Sequence, residues 1–381
     1  MKVLHIINSL KKGGAESNLF RLCKEQKKKY KNRIDITVIT LINNGYYENF
    51  LKKIGVKVFT LKIDKNNNLI NFIKTIIKLR KIIKFENPDI IQTWMYHSNF
   101  ISLFIPIKFH KSIFWNIRHS ELNLKISKKK TVLVSILCGL ISRIIPKKII
   151  YCSEKSIKFH ENFHFYSRNK TDLIYNGYDI SEYYSSEIYK SKFRREKKIK
   201  NTDIVLGYAG RFAKQKNIDS LLIAFSKSIK KYNNLYLVMA GKNINYQNDE
   251  LYNLIIKYKI KNKVFLVGEQ KNLLKFYNGI DFLVSSSHSE SFPNVIAESM
   301  LCSTPVLSSD AGCAKKIINN KNFILKRNDY LTIAEGIKQT INLLIREKKK
   351  WKILKTKARK QIVENFSIEK MSENYIRNWT F

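Results

Sequence analysis

Two glutamates in the stretch SESFPNVIAESM, residues 289–300, have the types and spacing expected of a ligand site. Pro293 lies between Glu290 and Glu298, after capping-type serines and before apolar residues at helical spacing, a pattern that predicts a helix beginning at the proline. Glu290 would lie in the loop before this helix and Glu298 inside it. Carboxylates accept hydrogen bonds from hydroxyl groups, which suits a sugar or a ribose. Glu298 can equally be an ordinary solvated helix residue.

Cationic residues follow a second strand-like run, in the stretch GYAGRFAKQKN. Arg211 can contact a phosphate with its planar fork, and Lys216 can add a second positive charge. Lys216 alone can also be one more surface lysine. Arg211 is more informative because only 13 of the 71 basic residues are arginines. The N-terminus of the helix at Pro293 offers unpaired N–H groups to an anion. Together these groups predict a diphosphate site that needs no metal ion and no cofactor.

Two further features carry weaker signals. Gly13 and Gly14 follow the first strand-like run and would let backbone amides approach the same phosphate, although a Gly-Gly pair is often only a turn. His119, in WNIRHS, can orient a ligand or exchange a proton with it, although a single histidine is often structural.

Strand-like runs alternate with helical patterns along the chain, which predicts βαβ units and therefore parallel sheets covered by helices. A charged stretch without a long apolar pattern, residues 180–202, separates two such series and predicts an interdomain linker. The fold expected is α/β, with two doubly wound Rossmann-like domains facing across a cleft. The predicted strands are VLHII (3–7), DITVITL (35–41), VKVFTL (56–61), DIIQTW (89–94), IFWNIRH (113–119), KIIYCS (148–153), DLIYNGYD (172–179), DIVLGYAGR (203–211), LYLVMAGK (235–242), KVFLVGE (263–269), DFLVSSS (281–287) and TPVLSSD (304–310).

Parallel sheets bind ligands at the carboxyl ends of their strands. The unusual residues of this chain follow the predicted strands at those ends: Gly13 and Gly14, His119, Arg211 and the loop that contains Glu290. The same rule therefore predicts that they line the edges of two sheets.

The composition limits the classes of protein to consider. The 381 residues are 44% hydrophobic and carry a formal net charge of +41, which fits a folded protein with a strongly basic surface. The charge can reflect a lysine-coated surface, an anionic membrane or, less readily, nucleic acid. The cysteines form no CxxC pair and predict reduced thiols in a cytosol. MKVLHIINSL does not read as a signal peptide, and TVLVSILCGLISRII (131–145) is too short to span a bilayer.

The motifs in this order resemble the retaining glycosyltransferases of family four, which have the GT-B fold and include enzymes of capsule, O-antigen and lipopolysaccharide assembly. The resemblance rests on MKVLHIINSLKKGGAE, PDIIQTWMYHSN, WNIRHSE, IYNGYD, GYAGRFAKQKNID and SESFPNVIAESMLCSTPVLSSDAG. It implies an acceptor-binding domain over 1–179, a donor-binding domain over 203–365, and a C-terminal helix near 366–381 that can pack back on the first domain.

The resemblance also implies roles for individual residues. Glu290 contacts hydroxyls of the transferred sugar, and Glu298 holds the ribose of the nucleotide. Arg211 and Lys216 neutralise the leaving diphosphate, and His119 approaches the donor sugar from the acceptor domain. The remaining expected donor contacts are the loop residues Gly13, Gly14, Ser291, Phe292, Pro293, Asn294 and Val295.

The activity implied is metal-independent transfer, with retention of configuration, of a hexose or N-acetylhexosamine. The donor would be a UDP- or GDP-sugar and the acceptor a glycan, free or linked to a polyprenyl diphosphate. Lys-rich apolar stretches of the first domain (69–85, 100–111 and 128–148) predict attachment to the inner face of the cytoplasmic membrane of an otherwise cytoplasmic enzyme. No nucleic-acid partner is expected. The alternative is a basic nucleic-acid- or membrane-binding protein without transferase activity.

Three departures from the family pattern bear on the site. Ser291 replaces a frequent glycine, which predicts a slightly different backbone next to the sugar. The loop AGKN (240–243) lacks a common second glycine. Ser303 replaces another glycine, and we expect that exchange to matter for packing. A nicotinamide-dependent oxidoreductase would require a G-x-G-x-x-G turn, and the sequence has none.

Overall fold

The computed structural model describes residues 1–31, 33–43, 45–63, 69–122 and 128–380, which form two compact units. Unit 1 comprises Met1–Gly177 and Ile368–Phe381, and unit 2 comprises Tyr178–Ser367.

Unit 1 contains a seven-stranded parallel sheet with the order β3-β2-β1-β4-β5-β6-β7. Its central strands are buried along nearly their whole length, as expected where helices cover both faces. Leu4 of the first strand pairs with Thr37 on one side and Ile91 on the other. The strands are β1 Lys2–Ile7, β2 Asp35–Thr40, β3 Lys57–Thr60, β4 Ile90–Trp94, β5 Ile113–Ile117, β6 Lys148–Tyr151 and β7 Thr171–Leu173.

Apolar side chains form two clusters in unit 1. One surrounds Ile91 and Trp115, and the other surrounds Val38 and Trp94. The helices between the strands are α1 Gly14–Lys29, α2 Glu48–Lys53, α3 Leu69–Glu86, α4 Tyr96–Ile101, α5 Lys129–Ile141 and α6 Glu154–Phe163. Among the described helices, none is long and apolar enough to cross a membrane.

Unit 2 repeats the same winding in a six-stranded parallel sheet of order β10-β9-β8-β11-β12-β13. The strands are β8 Ile204–Ala209, β9 Leu235–Ala240, β10 Val264–Leu266, β11 Phe282–Ser285, β12 Val306–Ser309 and β13 Ile324–Leu325. The helices are α7 Glu187–Glu196, α8 Ile218–Ile229, α9 Asp249–Lys257, α10 Leu274–Gly279, α11 Asn294–Leu301, α12 Ala314–Ile318, α13 Tyr330–Arg346 and α14 Lys348–Asn365.

The chain ends with α15, Ile368–Thr380, which belongs to unit 1. Its Tyr375 and Trp379 are buried in the cluster around Trp94, and the indole N–H of Trp379 donates to Gln92 Oε1 at 3.0 Å. Burial of these aromatic rings attaches the C-terminal segment to the first sheet.

The α/β fold and its parallel sheets are confirmed, and each of the twelve predicted strands overlaps an observed one. β13 has only two residues and was not predicted. The last strand of unit 1 ends at Leu173, because the chain after it leaves the sheet and enters unit 2 at Tyr178. The cleft between two facing domains stays a prediction.

The segment predicted as a linker is instead part of unit 2 and contains α7. Its charged run suggested solvent exposure, but Arg194 is 1% exposed. The guanidinium donates to Asp281 Oδ2 at 2.8 Å and to the carbonyls of Gly279 and Asp203. A buried cation satisfied in this way joins α7 to the sheet, and composition alone does not reveal it.

Candidate active site

The strand order of unit 2 reverses between β8 and β11, the point at which doubly wound sheets bind ligands. The loops that follow these two strands are bonded to each other. Ser286 Oγ donates to the carbonyl of Lys216 at 2.9 Å, and the amide of His288 donates to the carbonyl of Gln215 at 2.8 Å. The stretches that contain Lys216 and Glu290 therefore form one rigid edge.

Lys216 and Glu290 form an ion pair at this edge. Both side chains are only 14% exposed, so Lys216 is not an ordinary surface lysine. Ser287 Oγ donates to the same carboxylate oxygen, Glu290 Oε1, at 2.9 Å. An ammonium group has three donors, so this pair can also present Lys216 protons to an anion. The ion pair fixes a cation and an acceptor carboxylate side by side.

Gly312 supports the backbone under Glu290. It has a φ of +56°, and a Cβ atom there would collide with the carbonyl oxygens of Glu290 and Ser291. The amide of Cys313 donates to the Ser291 carbonyl at 3.1 Å. Only glycine combines this conformation with so close an approach, so the loop after β12 determines where the Glu290 peptide lies.

Arg211 follows β8 and is exposed. The buried Tyr208 lies next to it, and its hydroxyl donates to the Arg211 carbonyl at 3.4 Å. Burial, followed by the charge of Glu290, raises the pKa of Tyr208, so its hydroxyl stays protonated. Arg211 follows β8 and Glu290 lies in the loop after the neighbouring β11, so both residues belong to the same edge of the sheet.

Helix α11 begins at Asn294, one residue later than predicted, with Pro293 at the N-cap. Asn294 Oδ1 accepts a hydrogen bond from the Tyr178 hydroxyl at 2.5 Å. The Phe292 ring is buried against Tyr178 and Phe366, with centroids 6.3 and 5.7 Å away. The side chain of Phe292 therefore holds the loop to the core, and only its backbone is suited to a ligand contact. Val295 is half-buried in the first turn.

Glu298 is 7% exposed, so the interpretation as a solvated helix residue is wrong. The Tyr277 hydroxyl donates to Glu298 Oε2 at 3.1 Å. Burial, followed by the charge of Glu298, raises the pKa of Tyr277 and keeps it a donor. A carboxylate held in this way is oriented rather than free to rotate.

Gly13 and Gly14 lie in unit 1, at the start of α1. Gly13 has extended backbone with a φ of −166°, but a Cβ atom there would collide with the carboxylate of Glu16. Ser9 Oγ also donates to Glu16 Oε1 at 3.2 Å, and burial raises the pKa of Glu16. A carboxylate therefore lies at the N-terminus of α1, where sequence reasoning expected amides facing a phosphate.

His119 follows β5 in unit 1 and is exposed. Its ring lies 5.6 Å from that of Tyr96, and its carbonyl accepts a hydrogen bond from Ser156 Oγ at 2.5 Å. The Tyr96 hydroxyl and His160 Nε2 are 2.7 Å apart, and His160 Nδ1 lies 2.7 Å from the Ser156 carbonyl. Burial lowers the pKa of His160 to about 3. The imidazole is thus neutral, with Nδ1–H donating to Ser156 and Nε2 accepting from Tyr96.

The residues that hold the predicted site were missed by sequence reasoning: Ser287, Gly312, Tyr277, Tyr96 and His160. Ser287 had a signal, since it ends the run DFLVSSS at the carboxyl end of a strand. Tyr277 had none, because an apolar-looking helix residue gives no sign of a buried carboxylate as its partner. The structure brings Glu290, Lys216 and Arg211 to one edge of unit 2, with Glu298 on the adjoining helix.

The departures from the family pattern have physical explanations. Asn243 takes a φ of +59°, a conformation that asparagine tolerates, so the loop 240–243 keeps a positive φ without a second glycine. Ser303 has a φ of +57°, directly after α11. The left-handed backbone gives a physical reason for the frequent glycine, and the expectation that its exchange concerns packing stays a prediction. We have no structural account of the exchange at Ser291.

Two family models match the chain. The model described as Glycosyltransferase Family 4 matches residues 12–182, and the model described as Glycosyl transferases group 1 matches residues 190–361.

Individual relatives agree with these models. The uncharacterized glycosyltransferase MJ1059 of Methanocaldococcus jannaschii is 29% identical over 70% of this chain and 68% of its own length. The capsular polysaccharide biosynthesis glycosyltransferase CapM of Staphylococcus aureus is 30% identical, but the match spans only 38% of either chain. Anabaena Alr3699/HepE, solved in complex with UDP, has a TM-score of 0.82 at 20% identity over the full length of both chains. Its complex with UDP-glucose has a TM-score of 0.81.

Proposed function

The chain belongs to glycosyltransferase family 4, and on that premise we propose that it transfers a sugar from a nucleotide-diphosphate sugar to a hydroxyl of a glycan in surface-polysaccharide assembly. The observation that carries the proposal is the Lys216–Glu290 ion pair at the switch point of unit 2. This pair supplies a cation for a phosphate and an acceptor for sugar hydroxyls within one rigid edge. The likeness to a protein solved with UDP and UDP-glucose favours UDP over GDP as the nucleotide.

The charges of the site suit departure of a nucleoside diphosphate. As the glycosidic bond breaks, negative charge develops on the leaving phosphate, and preorganised cations stabilise that charge most effectively. Lys216 and Arg211 have this role in the proposal, together with the first-turn amides of α11. Glu290 accepts hydrogen bonds from hydroxyls of the transferred hexose or N-acetylhexosamine, and Glu298 accepts them from the hydroxyls of the ribose.

The proposed stereochemical course is retention by a same-face mechanism. The acceptor hydroxyl attacks from the side on which the diphosphate leaves, and the leaving phosphate oxygen takes its proton. No protein carboxylate has to act as a nucleophile, so Glu290 remains a hydrogen-bond acceptor throughout. His119, oriented by Tyr96 and Ser156, contacts the donor sugar in this proposal.

The proposed acceptor is a glycan linked to a polyprenyl diphosphate, reached from the inner face of the cytoplasmic membrane. The exposed surface of unit 1 supports this part. Leu133, Leu137, Leu140 and Ile144 recur at helical spacing along α5 and just beyond it, with exposed fractions of 37% to 76%. The exposed residues 128–130 before this stripe are three lysines. Such an apolar stripe with a basic end suits an anionic lipid surface.

A transfer assay tests the proposal. Purified enzyme is incubated with radiolabelled UDP- and GDP-sugars and a bacterial lipid extract, and label in the organic phase is counted with and without EDTA. We expect at least one UDP-sugar to label the lipid, with activity that survives EDTA and a product of retained configuration by NMR. Absence of transfer from every donor would contradict the proposed activity, and a strict need for Mg²⁺ or Mn²⁺ would contradict the stabilisation by Lys216 and Arg211.

Flotation with anionic liposomes tests the membrane part separately. Leu133→Asp with Leu140→Asp should abolish the salt-sensitive binding expected of the wild type, because both side chains are more than half exposed. Leu331→Asp, which changes a leucine of similar exposure in unit 2, is the matched control. Equal flotation of all three proteins would contradict attachment through α5.

A further inference from the structure

Four aromatic rings form a cluster at the carboxyl ends of β1 and β2, here called the aromatic cluster: Phe20, Tyr46, Tyr47 and Phe50. In five of the six ring pairs the centroids lie between 5.0 and 6.5 Å apart. Phe20 and Tyr47 pack against the apolar core of unit 1, whereas Tyr46 and Phe50 remain 42% and 41% exposed. The rings of Tyr46 and Phe50 thus lie side by side at the surface and are supported by the rings of Phe20 and Tyr47 beneath them.

The backbone holds this cluster in place. The Tyr47 amide donates to the carbonyl of Leu10 at 2.9 Å. At Gly45 a Cβ atom would collide with the side chain and backbone of Leu10, so the loop after β2 lies directly on the loop after β1. The unit 1 sheet reverses its order between β1 and β4. The cluster therefore lies at the edge of the sheet where doubly wound folds bind ligands.

Polar groups adjoin the rings in the loop after β1. Lys12 Nζ lies 4.8 Å from the centroid of Tyr46. Glu16 lies in the first turn of α1, four residues before Phe20 and therefore on the same helix face, and it accepts a hydrogen bond of 3.2 Å from Ser9 of that loop. A lipid chain would bind to the aromatic rings alone and would have no use for the polar groups. The combination of ring faces with an ammonium and a carboxylate suits a ligand that has an apolar face and hydroxyl-bearing edges.

A pyranose ring has this chemistry, because its axial C–H groups form an apolar face and its hydroxyls project from the rim. We propose that the aromatic cluster, with Lys12 and Glu16, is a subsite for a pyranose ring of the acceptor glycan. Tyr46 and Phe50 contact the face of the sugar, while Lys12 and Glu16 bond its hydroxyls. The inference rests on the proposed function in one respect, that unit 1 is the part that binds the acceptor.

The test uses methyl glycosides of common hexoses and N-acetylhexosamines as probes, titrated against the full chain by saturation-transfer NMR. In Tyr46→Ala/Phe50→Ala, the affinity for a glycoside that binds the wild type should fall roughly tenfold, equivalent to about 1.4 kcal/mol. Both side chains are partly exposed, so folding should survive. Phe85→Ala/Phe163→Ala removes two exposed rings elsewhere in unit 1 and should bind like the wild type.

Binding of UDP, measured by thermal shift on the same proteins, separates the two ideas. If UDP binds but no glycoside does, or if both double variants bind glycosides equally, the subsite is wrong and the proposed activity stands. If neither UDP nor any other donor nucleotide binds, the proposed function itself fails. Loss of liposome binding in Tyr46→Ala/Phe50→Ala, with glycoside binding unchanged, would make the cluster a lipid contact and overturn the subsite.

Discussion

The two sheets have the same winding, but the loops at the carboxyl ends of their strands carry different kinds of side chain. The edge of unit 2 presents charge, with the Lys216–Glu290 ion pair and the nearby Arg211. The edge of unit 1 presents aromatic rings, among them the exposed Tyr46 and Phe50. Among the described residues, unit 1 exposes fifteen large apolar side chains and unit 2 eight, although the units are of nearly equal length.

In the proposed function, this difference lets one fold serve two kinds of ligand. A diphosphate needs cations held in fixed positions. In unit 2, hydrogen bonds between the two loops fix Lys216, and the close approach of Gly312 fixes the backbone of Glu290. The proposed acceptor, a sugar on a lipid, needs apolar and aromatic surface, and unit 1 exposes such side chains. Function therefore resides in the loops, since the strand order is common to both units.

The largest effect should come from breaking the charge at the edge of unit 2. Lys216→Ala, Glu290→Ala and Arg211→Ala should each lower transfer a hundredfold or more, on the order of 3 kcal/mol of transition-state stabilisation. Steady-state rates of the folded variants measure this loss. Lys214→Ala, an exposed lysine in the same loop, is the control and should keep the wild-type rate. Near-normal turnover in Glu290→Ala would remove this residue from the site.

A smaller loss is expected when the support under Glu290 is disturbed. Gly312→Ala should lower transfer at least tenfold and destabilise unit 2 by roughly 1–3 kcal/mol, because the new methyl group meets two carbonyl oxygens at a positive φ. Gly55→Ala is the control. Gly55 has a φ of +75° and open space around it, so this variant introduces backbone strain without a steric clash. Comparable transfer rates in the two variants would mean that Gly312 does not position Glu290.

Low pH should destabilise unit 1, which contains two buried histidines. Burial lowers the pKa of His5 and His160, both in unit 1, from the ordinary value of 6.5 to about 3. The folded state then binds fewer protons than the unfolded state between these two pKa values. The stability contributed by the neutral histidines is therefore fully present above about pH 6.5 and falls as the pH decreases toward 3. Each histidine contributes about 1.4 kcal/mol per pH unit in that window.

Urea unfolding at several pH values, followed by tryptophan fluorescence, measures this loss. Trp94, Trp115 and Trp379 lie in unit 1, so the signal reports mainly that unit. His160→Gln should reduce the slope by about one proton. A slope that does not change in His160→Gln would contradict the assignment of a buried neutral imidazole.

The smallest effect concerns the C-terminus of α11. Ser303→Gly should stabilise unit 2 by about 0.5–1 kcal/mol, because glycine takes the left-handed backbone without strain. Asn319→Gly, after α12 with a φ of +49°, should change stability by only a few tenths of a kcal/mol, because asparagine already tolerates that conformation. Unfolding midpoints in urea decide, and a destabilised Ser303→Gly would refute the backbone explanation.

These comparisons also show what sequence could and could not predict. Alternating apolar runs predicted both sheets, because buried parallel strands need nearly continuous apolar residues. Glu290, Lys216 and Arg211 were predicted as site residues because charge at the carboxyl end of a strand is unusual. The supports were missed because their partners are distant in sequence: Gly312 touches the Glu290 backbone, and Tyr277 meets Glu298 only after folding. The two-residue strand β13 has too short an apolar run to predict.

Calorimetric titration with UDP, GDP and UDP-glucose shows directly whether the Lys216–Glu290 edge binds a nucleotide-diphosphate donor. We expect the wild type and Lys214→Ala to bind at least one of these ligands without added metal. Lys216→Ala should bind the same ligand at least tenfold more weakly, a loss of about 1.4 kcal/mol. Equal affinity of Lys216→Ala and Lys214→Ala, or no binding to any of the three ligands by the wild type, would contradict the account.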